Sequence, residues 1–206
     1  MKIIFKNAAD SKDIYSLKNL KADLFIINFH TTMCFNMVAG IPSAVKVSRN
    51  INLTTGADVI LHGRLDIEGD RFLSTIVLKD GEIACVSDCI THNSYVKGNA
   101  LRIVDLHGVK CGIAVDRDIL TAGVDNLFCG GARLIIHNSL NSLDKAYYGA
   151  YKHHIKLTDG VYVGLFSDGA LLGDGKLRPL PNEYILSVPD RAYRDDKTFL
   201  KVSKET

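Results

Sequence analysis

The chain has 206 residues, of which 47% are hydrophobic and 23% charged, and its formal net charge is +2, as is typical of a globular protein of one domain. It carries no dense stripe of Lys and Arg that would support nucleic-acid binding, and no apolar stretch approaches the roughly 18 residues of a membrane span. No secretory signal is visible, and the five cysteines have an irregular spacing that favours free thiols over a disulfide framework. We therefore expect a cytoplasmic protein that does not bind membranes or nucleic acid.

The first half of the chain predicts mostly strands. Lys2–Phe5 is a short apolar run and predicts an edge strand, whereas the apolar spacing over Asp10–Leu20 predicts a helix. The continuous apolar run within Ala22–Phe29 predicts a strand that is covered on both faces. Met33–Val47 contains a glycine and a proline, so we do not expect a long unbroken helix there. Further strands are predicted at Val59–Leu61 and, as a hairpin around Asp80-Gly81, at Phe72–Leu78 and Glu82–Val86.

The second half continues with strands and one helix. Two strands, Leu101–Leu106 and Cys111–Val115, are separated by a His-Gly turn, and the apolar spacing over Ser142–His154 predicts a helix. The adjacent hairpins argue for a mixed α/β sheet protein and against an all-parallel sheet. We expect residues 1–190 to form one domain and the charged residues 191–206 to form a surface tail. The remaining predicted strands are Arg133–His137, Val161–Phe166, a hairpin within Leu171–Leu177, and Tyr184–Val188.

Five segments, in their order along the chain, carry a resemblance to a known family. They are Ala22–Ile27, Asp80–Ile83, Val109–Ile119, Gly131–Ser139 and Asp159–Val163. In this order they resemble strands and turns of the carbon–nitrogen hydrolase (nitrilase) superfamily, and Val109–Ile119 resembles the strand that leads into its nucleophile. The resemblance implies an α/β fold, the α-β-β-α four-layer sandwich, which usually pairs through helices into dimers. We therefore expect a homo-oligomer.

The catalytic positions of that family do not carry its residue types here. Its chemistry uses a cysteine nucleophile, a glutamate base and a lysine that stabilises developing charge. By resemblance, the nucleophile position falls on Asp116, the glutamate position on Phe29 or on His30 one residue later, and the lysine position on Cys89. A carboxylate is a poor nucleophile toward amides, and a Phe cannot accept a proton. A structural role for Asp116, as the cap of a helix that begins near Ile119, stays open.

The leading prediction is a catalytically inactive homologue that acts through ligand binding or oligomer assembly. The region between Phe29 and Val59 is short for the long helix and the substrate-capping loop of the family, so we expect a shortened version of the fold. Arg117 and Ser139 are candidate binding residues for a small amide-like or amino-acid-like ligand. Neither a cofactor nor a metal ion is expected.

Two alternatives remain. The chain could be an active amide or nitrile hydrolase that uses a relocated thiol, for which Cys89, Cys34 and Cys111 are candidates and His30 is the candidate base. It could also be an unrelated α/β small-molecule-binding protein whose glycines and aliphatic runs only resemble those of the family.

Overall fold

The computed structural model describes residues 1–36, 40–91, 94–98, 100–158 and 160–188. In chain order the first half contains β1 (Lys2–Ala8), α1 (Ser11–Tyr15), β2 (Leu24–Phe35), α2 (Ser43–Thr55), β3 (Asp58–Ile67), β4 (Asp70–Lys79) and β5 (Glu82–Asp88). The second half contains β6 (Arg102–Leu106), β7 (Val109–Val115), α3 (Asn126–Cys129), β8 (Leu134–Asn138), α4 (Lys145–Leu157), β9 (Val161–Phe166), β10 (Gly169–Gly173), β11 (Leu177–Leu180) and β12 (Glu183–Ile185). The predicted tail, residues 191–206, lies outside the described residues.

Two six-stranded mixed sheets form the middle layers of the molecule. The spatial order is β12-β1-β2-β3-β4-β5 in the first sheet and β11-β10-β9-β8-β7-β6 in the second. In each sheet three neighbouring strands are parallel, β1-β2-β3 and β7-β8-β9, and the outer strands are added antiparallel. Helices α1 and α2 pack on the first sheet and α4 packs on the second, which gives the four-layer α-β-β-α sandwich.

Three apolar clusters hold the layers together. The inner cluster joins the sheets through side chains such as Ile26 and Ile60 of the first sheet and Ile113 and Ile136 of the second. The neighbouring Phe25 points the other way, into the cluster beneath α1 and α2. Each fully buried side chain of this kind stabilises the fold by about 1.5–3 kcal/mol. The continuous apolar run of β2 is therefore explained, because both of its faces are covered.

The hairpin predicted around Asp80-Gly81 is confirmed. β4 and β5 pair antiparallel, and Asp80 and Gly81 have φ of 51° and 77°. Positive φ at both central residues is the conformation that Asp-Gly favours and that matches the twist of a hairpin. The His107-Gly108 turn between β6 and β7 has the same character, with φ of 49° and 76°.

One prediction about the first half is wrong. β1 is not an edge strand, because it pairs with β2 on one side and with β12 on the other. No long unbroken helix spans Met33–Val47, as predicted, and α2 begins only at Ser43. The helix α2 itself is not among the elements that the sequence predicts. Gly40 and Pro42 in fact precede the helix, and Pro42 is its N-cap, a position that does not interrupt the helical hydrogen bonds. Gly56, at a φ of 72°, ends α2 as its C-cap.

None of the helices in the described part of the chain is long and apolar enough to cross a membrane.

Candidate functional site

Buried polar side chains lie midway along β2 and β3 and at the ends of β7 and β8, among residues that are otherwise mostly apolar. Asn28 of β2 is the cross-strand neighbour of His62 on β3, and Asn138 ends β8 beside Val115, the last residue of β7. Asp116 follows directly. We call Asn28, His62, Asp116 and Asn138 the polar cluster. All four are at most 1% exposed. Any polar atom among them that has no hydrogen-bond partner therefore destabilises the folded protein.

The backbone of Asp116 is held in an uncommon conformation. The chain leaves β7 and turns into a 3-10 helix, Asp116–Leu120, and Asp116 has a φ of 47°. A non-glycine residue in this left-handed region costs on the order of 1–3 kcal/mol and needs support from its surroundings. The ring of His137 supplies that support, since its Nε2 donates to the Asp116 carbonyl at 2.7 Å. We call this turn the elbow.

One oxygen of the Asp116 carboxylate is fully engaged and the other is not. Oδ1 accepts hydrogen bonds from Ser139 Oγ at 2.6 Å, Asn141 Nδ2 at 2.9 Å and Tyr147 Oη at 2.9 Å. Burial acts to raise the pKa of Asp116, but the hydrogen bonds from Ser139 and Tyr147 and the nearby His62 and His137 together lower it. The carboxylate is therefore ionised at neutral pH. Its Oδ2 has no hydrogen-bond partner among the described residues.

His137 is neutral, and its tautomer follows from its partners. Because Nε2 faces a carbonyl oxygen, it carries the proton, and Nδ1 accepts from the Tyr151 hydroxyl at 2.9 Å. Burial lowers the pKa of His137 to about 4. Tyr147, Tyr151 and Phe166 surround the ring at centroid distances of 5.4–5.8 Å, which fixes its orientation.

The first sheet contributes two more members. Asn28 Nδ2 donates to the carbonyls of Ser139 at 2.8 Å and Leu165 at 3.2 Å, and so joins the two sheets. His62 Nδ1 lies 3.1 Å from Thr75 Oγ1, and burial lowers the pKa of His62 to about 3. Asn28 Oδ1 and His62 Nε2 have no partner among the described residues. Native proteins leave few such atoms, which usually mark water or a ligand.

The two residues at the predicted glutamate position point in different directions. Phe29 lies in the apolar cluster beneath α1 and α2, so its side chain does not reach the polar cluster. His30 Nε2 lies 3.4 Å from Asn7 Oδ1, and Asn7 Nδ2 donates to the Phe166 carbonyl at 3.0 Å. Asn28 is the residue of this strand that contacts Ser139, a hydrogen-bond partner of Asp116. A polar residue within an apolar run was its only sequence signal.

Cys89, at the predicted lysine position, lies beside the elbow. Its thiol is buried and donates to Asp118 Oδ1 at 3.5 Å. The same oxygen accepts from the backbone N–H groups of Ile90 at 2.9 Å and Thr91 at 3.2 Å. Burial raises the pKa of Asp118 above its ordinary value. Asp118 thus ties the segment after β5 to the elbow.

The other predicted residues are dispersed. Ser139 is buried against Asp116, whereas Arg117 is exposed on the outside of the elbow. Cys111 lies in the inner apolar cluster, and burial raises the pKa of its thiol to about 12. Cys34 is exposed. Within the described ranges, no group of three or more His, Cys, Asp or Glu side chains could hold a metal ion.

Comparison with solved structures identifies the fold as that of the nitrilase superfamily. An amidase from Nesterenkonia sp. superposes with a TM-score of 0.62 at 12% sequence identity, over 98% of this chain and 95% of that chain. Nit3 of Saccharomyces cerevisiae, a member of branch 10 of the nitrilase superfamily, gives a TM-score of 0.67 at 10% identity, over 86% and 84%. Glutamine-dependent NAD+ synthetase from Acinetobacter baumannii gives 0.62 at 13% identity, over 95% of this chain and 44% of that chain.

At these identities the likeness shows the fold alone. The chain is also shorter than the amidase and Nit3 structures, which have about 260 residues. No protein-family model and no curated protein matches the sequence. The expected α-β-β-α sandwich is confirmed, and the two stacked sheets argue against the alternative of an unrelated α/β binding protein.

Proposed function

We propose that this nitrilase-fold protein is catalytically inactive and binds a small amide-like or amino-acid-like ligand at the elbow. The observation that carries the proposal is the state of Asp116, a buried, ionised carboxylate with one oxygen saturated by three donors and the other without a partner. One solved form of the Nesterenkonia amidase carries acrylamide added at its active-site cysteine. The sequence resemblance aligns Asp116 with such a cysteine.

The surroundings of Asp116 are suited to holding charge and not to attack on carbon. An activated nucleophile needs an adjacent base or a raised reactivity of its attacking atom. Donors from Ser139, Asn141 and Tyr147 instead disperse the charge of Oδ1, and the lowered pKa of Asp116 makes the carboxylate a weaker nucleophile. His137 cannot serve as the base, because both of its ring nitrogens are already engaged, Nε2 with the Asp116 carbonyl and Nδ1 with the Tyr151 hydroxyl.

The polar cluster supports binding. Asp116 Oδ2, Asn28 Oδ1 and His62 Nε2 are buried atoms without partners among the described residues, and a polar ligand would supply the missing hydrogen bonds. Asn28 and Asp116 both contact Ser139, so these atoms belong to one neighbourhood.

The test is ammonia release from a panel of amides and nitriles, measured in parallel for the wild type and for a Cys89→Ser variant. We expect no release above buffer from either protein. Release that is lost in Cys89→Ser would contradict the proposal and identify the thiol as the nucleophile. Release that survives in Cys89→Ser would also contradict it and direct attention to Cys34 and Cys111.

An active hydrolase with a relocated thiol is the second candidate, favoured by the contact between Cys89 and Asp118 beside the elbow. A carboxylate at this distance could accept the thiol proton, although a neighbouring negative charge makes a thiolate less stable. Alkylation by iodoacetamide at pH 6, followed by peptide mapping, distinguishes the inactive binding protein from the active hydrolase. The inactive protein is expected to leave Cys89 unmodified while exposed Cys34 reacts slowly; rapid labelling of Cys89 favours the hydrolase.

The proposal includes a homodimer in the cytoplasm. The five cysteines are all free thiols, as a reducing compartment requires. Apolar side chains on the outer surface of α4 support self-association, since Tyr148 is 40% and Leu157 is 42% exposed.

A further inference from the structure

The part of the molecule that most needs a partner is the polar cluster at the elbow. Buried polar groups in folded proteins are almost always hydrogen-bonded. Here Asn28 and His62 are both fully buried, and each presents one polar atom, Oδ1 and Nε2, with no partner among the described residues. Asp116 presents a third such atom, Oδ2. The Oδ1 and Nδ2 atoms of Asn138 also have no partner among the described residues. Three unpartnered neutral side chains beside an acidic one indicate more than a carboxylate that happens to be buried.

These atoms converge through shared neighbours. Asn28 Nδ2 donates to the Ser139 carbonyl at 2.8 Å, and the Ser139 hydroxyl donates to Asp116 at 2.6 Å. His62 lies directly across from Asn28 in the β2–β3 register. Asn28 is therefore linked to Asp116 through Ser139 and to His62 through the strand register, which places the three side chains in one neighbourhood.

The charge of the polar cluster is negative at neutral pH. Burial lowers the pKa of His62 to about 3 and that of His137 to about 4, so neither ring is an imidazolium near pH 7. The lowered pKa of Asp116 leaves its carboxylate ionised. Among the described residues no Lys or Arg forms an ion pair with Asp116. A buried, unpaired charge is costly, and a bound cation offsets that cost.

The hydrogen-bonding capacity points the same way. Asp116 Oδ2 and Asn28 Oδ1 can only accept, so a ligand at these positions must donate. Oδ1 of Asp116 is saturated, which leaves one oxygen for the ligand and excludes a bidentate pair with both carboxylate oxygens. A small planar cation with several N–H groups meets both requirements, because it can donate to Oδ2 with one N–H and to Asn28 with another.

We propose that the polar cluster selects small organic cations that carry N–H donors, of the amidinium, guanidinium or ammonium class, over neutral amides and over anions. This inference rests on the proposed function, since it narrows the amide-like or amino-acid-like ligand to one that presents a cationic N–H group to Asp116. A neutral amide can donate to the same acceptors but brings no charge to balance Asp116. A ligand that presents a carboxylate to Asp116 would meet like charge, so that orientation is disfavoured.

The test uses three probes of nearly equal shape, acetamidinium, acetamide and acetate, whose charges are positive, zero and negative. Their binding is measured by titration calorimetry at pH 7 with the wild type, Asp116→Asn and Asp174→Asn. Asp174 is an exposed carboxylate paired with Arg178, so its variant loses the same charge away from the elbow. We expect acetamidinium to bind the wild type and Asp174→Asn equally, and Asp116→Asn about tenfold or more weakly, as loss of a charge-assisted hydrogen bond implies. Acetate is not expected to bind.

Other outcomes overturn the inference in distinguishable ways. Acetamide binding as tightly as acetamidinium refutes cation selection but leaves the proposed ligand site intact. Acetamidinium binding that survives in Asp116→Asn refutes the role of that carboxylate. No binding of any probe at millimolar concentration means that ordered water alone fills the polar cluster. If Asp116→Asn does not fold, the wild-type series still decides, because charge selectivity is read from the probes. Ammonia release from amides or nitriles would refute the proposed inactivity, and this outcome is independent of which probe binds.

Discussion

At the scale of single residues, His137 supports the backbone of the elbow. Its Nε2 holds the carbonyl of Asp116 in a left-handed turn, and its Nδ1 accepts from Tyr151. The sequence predicted Asp116 as the residue of interest, because it follows a strand with a family-like pattern. It could not predict His137, because the side chain's role depends on the packing of α4 against the second sheet.

Replacing His137 tests this support. In His137→Phe, the Asp116 carbonyl and the Tyr151 hydroxyl both lose their partner, and each unsatisfied buried group costs about 1–3 kcal/mol. We expect the free energy of unfolding, measured by urea denaturation, to fall by about 2–5 kcal/mol. His153→Phe, at an exposed position of α4, serves as the control and should change it by less than about 0.5 kcal/mol. Equal stability of the two variants would contradict the role of His137.

A second buried histidine gives a prediction for pH. His154 Nε2 faces the Ile119 carbonyl at 2.7 Å and Nδ1 faces Asp125 Oδ1 at 2.8 Å, so both ring nitrogens meet acceptors. Burial acts to lower the pKa of His154, but the bonds to Asp125 and Ile119 outweigh it and raise the pKa. The imidazolium therefore stabilises the fold fully below the unfolded pKa of about 6.5, and this contribution is lost as pH rises through the raised folded value.

Urea denaturation from pH 5.5 to 9 measures the effect. The difference in unfolding free energy between the wild type and His154→Gln should be largest at the acid end and should shrink as pH increases. His153→Gln, which changes the adjacent exposed ring, serves as the control. A wild-type advantage that grows toward alkaline pH would refute the assignment of a charged His154.

At the scale of elements, a glycine in β9 lets α4 approach the second sheet. A Cβ on Gly164 would overlap the hydroxyl of Tyr151, the group that contacts His137. Strand patterns predicted β9 correctly, yet they could not show that Gly164 faces α4, because the face of each residue depends on register. The missed helix α2 has a similar cause, since the position of Pro42 relative to the first turn decides whether it breaks or begins a helix.

Substitution by alanine at two glycines should change the free energy of unfolding in opposite directions. Gly164→Ala displaces Tyr151 and should lower the unfolding free energy by about 1–3 kcal/mol, as overpacking does. Gly149→Ala, on the exposed side of α4, meets nothing within 4 Å and should raise it by about 0.5–1 kcal/mol through helix propensity. Thermal and urea denaturation of both variants check this. Stabilisation by Gly164→Ala would show that the helix does not lie this close to the strand.

At the scale of the whole molecule, the sequence predicts where most strands lie along the chain, but not how the strands pair into two sheets. Alternation and turn residues placed most strands, but nothing local in the sequence states that Asn28 bonds to Ser139 and Leu165 across two sheets. The polar cluster depends on such long-range contacts. It was therefore visible in the sequence only as isolated polar residues at the ends of apolar runs.

Self-association is the prediction at this scale. Light scattering coupled to size exclusion should give twice the 22.6 kDa of one chain. Tyr148→Lys places a charge on the exposed face of α4 and should shift the mass toward one chain. Leu53→Lys, on α2 in the opposite helical layer, is the control, because Leu53 is the more exposed residue, at 63%. A wild-type mass of one chain refutes the homodimer; a dimer that Leu53→Lys disrupts instead places the interface on α2.

The pairing of β1 with β12 has a consequence for biosynthesis. Residues such as Ile3 and Tyr184 become neighbours in the first sheet although nearly the whole chain separates them. A ribosome makes β1 first among the described strands and β12 last, so one edge of β1 stays open while everything between them is translated. An open strand edge can recruit another chain, and contacts of such long range form slowly. The nascent chain is thus most exposed to misassembly until its final strand emerges.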